Sequence, residues 1–176
     1  MTQSVAAAAR GRRVPPENFH LTLVFLGSVP EARISDVVAI GVDVASQVTQ
    51  PRVGVMLDAI EYWKKPKVVV ATGGPETDDA LLANALTRAL ESRLTQAGFI
   101  PDLDSSRSVG GRETRKFCPH VTLARKVAHP IGPIGIQPVL WSFNDFALVE
   151  SRTEAKGSVY TVLQSFPLEA RGGADR

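Results

Sequence analysis

The sequence predicts an α+β fold with antiparallel sheets, and three observations carry that expectation. Strand-like and helix-like periodicities follow one another in the order strand, helix, two strands, helix, strand, two strands. That order reads as one strand-and-helix plan used twice. A chain of 176 residues, 44% apolar and 22% charged, also suits one soluble globular domain or two closely packed lobes.

Asn18 to Leu26 (NFHLTLVFL) alternates as a strand that ends in a Gly27 turn. His20, Thr22, Val24 and Leu26 share one face, and Leu21, Leu23 and Phe25 share the other. A helix follows, because Ser28 and Glu31 have capping-box spacing and Ile34, Val37, Val38, Ala45 and Val48 form an apolar stripe. Gly41 interrupts that stripe. Arg52 to Trp63 and Lys67 to Thr72 read as strands joined by a turn at Lys64-Lys65-Pro66.

The clearest helix runs from about Thr77 to Ala97. Thr77 is placed to cap it, Asp78 and Asp79 suit its positive end, and Gly98 suits the position just past its last turn. Leu82, Ala85, Leu86, Ala89, Leu90 and Leu94 give it an apolar face. Residues 101–116 are polar and aperiodic and read as a mobile loop. Phe117 to Arg125 is a strand with Pro119 near its start, and His129 to Pro138 reads as irregular. Leu140 to Glu150 and Ser158 to Phe166 are the closing strands. Residues 171–176 read as a disordered tail after a domain spanning 1–170.

Composition narrows the function classes. The formal charge is only +2 and the pI is near 8.9, a balance that permits a phosphate-bearing ligand without demanding one. No apolar run reaches the roughly 18 residues of a membrane span, and the opening arginines follow the alanine run, the wrong order for a secretory signal. Cys118 is the single cysteine, which points to a reducing cytoplasm.

Two of the three histidines sit in one repeated motif: His20-Leu21-Thr22-Leu23 and His120-Val121-Thr122-Leu123, 100 residues apart. Two such matches among three histidines arise by chance in about one chain in 10⁴. Positions i and i+2 of a strand point the same way, so each motif presents an imidazole beside a hydroxyl. If two equivalent lobes face one another, the four groups converge. One imidazole can then deprotonate a nucleophile while the other protonates a leaving oxygen, and the hydroxyls can donate to oxygens that gain charge. A pKa near 6.5 makes histidine suitable for both roles.

The segments RRVPPENFHLTLVFLG and RKFCPHVTLARK resemble the two signature regions of the RNA 2',3'-cyclic phosphodiesterases, also called 2'-5' RNA ligases, of the two-histidine phosphoesterase superfamily. The closing stretch, Phe146 to Ser151 and Ser158 to Leu168, is similar as well, so the resemblance runs from Val14 to Leu168. It implies a bilobal fold of two pseudo-symmetric antiparallel sheets, with helices on the outer faces and a central catalytic cleft. It further implies hydrolysis of RNA-terminal 2',3'-cyclic phosphate to a 2'-phosphate, without metal or other cofactor, and reverse joining of RNA ends. Carried over, His20 is the proton donor, His120 the proton acceptor, and Thr22 and Thr122 hold the phosphate.

Arg125 follows the second motif, where the family repeats an arginine. It is either a further phosphate contact or a solvated strand end, since alternation points it away from His120. The family pattern also implies an opening strand ahead of the first motif. Residues 2–10 are Ala-rich and read instead as helical or disordered, leaving the first lobe one strand short. Cys118 stands where a basic residue is common and reads as packed, and His129 reads as exposed. Phe19 and Tyr160 read as core residues before base-stacking ones, and the basic residues of 101–116 as solvated before RNA-guiding. Two rival functions stand beside the first: turnover of small cyclic nucleotides or ADP-ribose cyclic phosphate, and nucleotide binding without turnover. No partner protein or oligomeric state is legible.

Overall fold

A computed structural model describes residues 10–50, 52–73, 78–100, 117–154 and 157–168. It is α+β, with a five-stranded and a two-stranded sheet, both antiparallel in the strand pairs that carry the site and the closing hairpin. The strands are β1 (Arg12–Arg13), β2 (Val53–Trp63), β3 (Val68–Thr72), β4 (His120–Arg125), β5 (Ile134–Phe143), β6 (Asp145–Glu154) and β7 (Gly157–Pro167). The helices are α1 (Ile34–Gln47) and α2 (Asp78–Gln96). The chain divides into two compact units, one holding residues 1–23, 55–81 and 107–141, the other the remainder.

In the first unit the sheet order is β1-β4-β3-β2-β5. The middle strand, Val68-Val-Val-Ala-Thr72, is buried at all five positions, as a strand covered on both faces must be. Val55, Leu57, Ile60, Val121 and Leu123 extend that core. Proline governs both ends of the region. β4 starts directly after the buried Pro119, and Pro138 sits inside β5, an edge strand of the sheet, where proline is tolerated. The irregular stretch expected over 129–138 therefore ends before Ile134, where β5 begins. The closing strand read across 140–150 is in fact two, broken at Asn144, whose carbonyl accepts the Leu168 N–H at 2.8 Å.

The strand expected over 18–26 is the main departure. Arg12 and Arg13 pair with Arg125 and Ala124, and the Val14 N–H donates to the Leu123 carbonyl. A 3-10 turn at Pro16–Asn18 then lifts the chain away, and it returns for one isolated bridge, Leu21 to Val121. Paired prolines cannot donate to a ladder, so Pro15 and Pro16 make this excursion. The expectation for residues 2–10 lies outside the described residues apart from Arg10, a turn residue, as do the loop 101–116, the Thr77 cap and the tail.

In the second unit α1 begins later than the capping box implied, after a 3-10 turn at Glu31–Arg33, and neither start has a side-chain cap. Its buried residues are Val37, Gly41, Val44 and Ala45. Gly41 is required because the Phe166 ring of β7 rests on it: an added Cβ would lie 2.5–2.8 Å from three ring atoms. Phe166 also packs on Phe146 of β6 at 5.0 Å. Arg33 donates to the Ala97 carbonyl at 2.8 Å, lies over the Phe99 ring at 4.1 Å, and so ties α1 to the end of α2. Gly98, at φ +81, ends α2 as its position implied. Ala83, Leu86, Thr87, Leu90 and Leu94 form the buried face of α2, while Ala85, expected there, is exposed.

Candidate active site

Both histidine motifs lie in the first unit, and they meet as neighbouring segments. The antiparallel bridge between Leu21 and Val121 sets the register: one step along, His20 stands across from Thr122 and Thr22 across from His120. Alternation puts these four on the face opposite Leu21 and Val121. All four are half-buried, whereas Val121 is 1% exposed. The convergence expected from two facing lobes thus comes from adjacent segments of one unit. On the other side of β4, Thr72 pairs with His120 and Val70 with Thr122, so β3 continues the same floor.

Each imidazole is fixed in the same way. His20 Nδ1 is 2.8 Å from the Asn18 carbonyl oxygen, and His120 Nδ1 is 3.0 Å from the Cys118 carbonyl oxygen. A carbonyl only accepts, so Nδ1–H donates in both rings. The bond runs from each histidine to the residue two positions earlier and uses that residue's backbone. Cys118 can therefore stand where the family favours a basic residue. Its side chain is half-buried against Trp63, Val68 and Val70, as expected of a packed thiol.

Sequence reasoning did not single out Trp63 or Glu61. Trp63 is buried, and its ring centroid is 4.5 Å from that of His120 with the planes 53° apart. Its Nε1–H donates to Glu61 Oε2 at 3.1 Å. Glu61 and Trp63 are two apart on β2, so they point the same way, and that spacing was the available signal. Burial pushes the His120 pKa below the ordinary histidine value. The Cys118 carbonyl acts in the opposite sense, and the charges of His20 and Arg125 depress it further.

Arg125 closes β4, half-buried, with Arg12 directly opposite. Strict alternation would turn it from the His120 face. The register shift at Val69/Val70 leaves Leu123 as an extra residue in β4 and restores Arg125 to that face, and its charge reaches the imidazole. His129 is exposed, and Phe19 and Tyr160 are half-buried. Among the described residues no three His, Cys, Asp or Glu side chains are grouped to hold a metal ion, and no helix is long and apolar enough to cross a membrane.

A family model described as LigT like phosphoesterase matches residues 1–70. The RNA 2',3'-cyclic phosphodiesterase of Thermus thermophilus is 35% identical over 169 residues, spanning 93% of this chain and 78% of that protein. The chain belongs to the RNA 2',3'-cyclic phosphodiesterase family. A second protein of that name, from Aquifex aeolicus, is 25% identical over 174 residues, covering 90% of this chain and 82% of its own. Among solved structures, one from Thermus thermophilus superposes with a TM-score of 0.67 at 32% identity, covering 97% of this chain and 94% of that one. E. coli LigT, crystallised with 3'-AMP, shares the fold, with a TM-score of 0.69 at 24% identity over 95% of this chain and 88% of that one. Membership of the RNA 2',3'-cyclic phosphodiesterase family accords with the paired motifs from which the resemblance was read.

Proposed function

We propose that this chain hydrolyses the 2',3'-cyclic phosphate at RNA 3' ends to a 2'-phosphate and a free 3'-hydroxyl. The observation that carries the reading is the placement of His20, Thr22, His120 and Thr122 on one face, with both Nδ1–H groups committed to backbone carbonyls. His120 is the base. Its burial favours the neutral imidazole, whose Nε2 takes a proton from water as that oxygen bonds to phosphorus. His20 is the acid. Its protonated Nε2 gives a proton to the 3'-oxygen as the phosphorus–oxygen bond breaks, so the two histidines exchange protonation states in each turnover.

The hydroxyls of Thr22 and Thr122 donate to the non-bridging oxygens, and the guanidinium of Arg125 supplies positive charge at the end of the same strand. With the 5'-hydroxyl of another RNA end in place of water, His120 takes its proton as that oxygen bonds to phosphorus, the 3'-oxygen leaves with a proton from His20, and the same groups make a 2'-5' linkage. The family relatives named as RNA 2',3'-cyclic phosphodiesterases support the substrate class. The deciding experiment is phosphorus NMR of the product from an RNA ending in 2',3'-cyclic phosphate. A 2'-phosphate is expected. A 3'-phosphate would overturn the assignment of the leaving oxygen, and no turnover would overturn the activity.

A further inference from the structure

Seven of the chain's 20 lysines and arginines gather at one end of the five-stranded sheet, although its formal charge is only +2. The β2–β3 hairpin carries Lys64, Lys65 and Lys67. β4 ends in Arg125 and continues into Lys126, and the hairpin is tied to it by the Val127 N–H donating to the Lys67 carbonyl at 3.0 Å. β1 adds Arg12, directly opposite Arg125, and Arg13. Six of the seven are exposed, and Arg125 is half-buried. The described ion pairs, Arg33–Asp36, Arg93–Asp43 and Arg152–Glu150, include none of them.

Such a cluster opposes folding. Like charges directly across a strand pair are destabilising, and a field of one sign repels itself unless an anion offsets it. The reacting phosphate cannot meet them all. Arg125 shares the His120 face of β4, but Lys64, Lys65 and Lys67 lie in the turn before Val68, about 13 Å along β3 from the Thr72–His120 pair at the usual rise per residue. One mononucleotide holds one phosphate, and the histidines engage it. Several phosphates in line are needed to meet the cations as well.

We propose that this end of the sheet binds the phosphodiester backbone of single-stranded RNA upstream of the terminal cyclic phosphate, making an oligonucleotide the preferred substrate over a free cyclic nucleotide. The proposal rests on the reading of His20 and His120 given above. A backbone-tracking surface of this kind holds phosphates by charge without reading bases.

The test compares kcat/KM for 2',3'-cyclic AMP with that for an RNA of about six nucleotides ending in 2',3'-cyclic phosphate, between about 50 and 200 mM salt. The oligonucleotide should be favoured at least ~10-fold at the low end, and its advantage should fall with a log–log slope of about −0.7 for each phosphate held. The Lys64→Gln/Lys65→Gln double variant should lower the oligonucleotide-to-mononucleotide ratio and flatten the slope by about 1.4. Equal kcat/KM without a salt slope, or an unchanged ratio in that variant, would overturn the proposal. Anisotropy of a fluorescent oligonucleotide with a plain 3'-hydroxyl reads the surface without turnover. Salt-dependent binding weakened by the same variant would support the surface even if neither substrate turned over, an outcome that would sink only the histidine reading. Binding indifferent to salt and to the variant would sink the surface.

Discussion

The Trp63 indole covers one side of the His120 imidazole, 4.5 Å away and tilted by 53°, and is itself held by a 3.1 Å hydrogen bond to Glu61. The tilt rules out a parallel stack, so the contact acts chiefly by excluding water and fixing the ring. Both effects suit the base proposed at His120: a desolvated imidazole stays neutral, and a fixed one keeps Nε2 aimed. The groups facing His120 are His20 from the first motif, Arg125 and Cys118 from its own segment, and Glu61 through Trp63. β3, Val68-Val-Val-Ala-Thr72, contributes no titratable group.

The first prediction follows from that contact. A base works only when neutral, so kcat/KM falls as pH drops below the His120 pKa, and burial places that acid limb below the ordinary histidine range. Trp63→Ala lets water in and should move the limb up towards 6.5, whereas Trp63→Phe should keep most of the depression. Glu61→Gln preserves an acceptor for the indole N–H and should resemble Trp63→Phe. A limb that stays put in Trp63→Ala, with folding verified by circular dichroism, would show that burial by this ring does not set the base.

The second concerns the pair. His20→Ala and His120→Ala should each lose at least about 10²-fold in kcat, with the fold intact. The double variant should be little worse than either single one, because the two imidazoles act in one proton-exchange step. Turnover should persist in excess EDTA, since the proposed mechanism gives both proton transfers to imidazoles. A single variant with near-normal kcat, or activity that returns only with added metal, would refute this division of labour.

The third concerns the hydroxyls. Thr22→Val and Thr122→Val keep the side-chain shape and remove one donor each, so they should lower kcat by about 10² with smaller changes in KM. A loss confined to KM would place the hydroxyls in ground-state binding instead.

The motifs were legible because chemistry repeats: an imidazole and a hydroxyl two apart, twice, leave few structural explanations. The α+β class and the elements β2, β3, α2 and β4 were legible for a different reason, since their periodicity and turn residues agree with the packing that tertiary structure imposes. The partnership between the motifs was not. Only the Leu21–Val121 bridge reveals that His20 lies across from Thr122, and register between segments 100 residues apart leaves no trace in either. Asn18 and Cys118 were illegible as partners of the histidines because they act through backbone carbonyls, which every residue possesses. β5 was hidden by Pro138, tolerated only because the strand lies at an edge that no local pattern announces.

The last prediction takes the glycine that weakened the case for α1. In an exposed helix interior, Gly→Ala stabilises by about 1 kcal/mol, because alanine loses less backbone entropy. Gly41 is buried, and its Cβ would meet three atoms of the Phe166 ring, which is itself 3% exposed and packed on Phe146. A ring so enclosed has no room to retreat, so overpacking should exceed the helical gain, and Gly41→Ala should destabilise by about 1–3 kcal/mol. Pairing it with Phe166→Leu removes the obstructing ring atoms. The effect of Gly41→Ala measured in that background should shrink or change sign, because the two positions couple by direct contact. Urea midpoints of the four proteins decide it. Gly41→Ala as stable as the parent, or an equal loss in both backgrounds, would show that Phe166 does not explain the glycine.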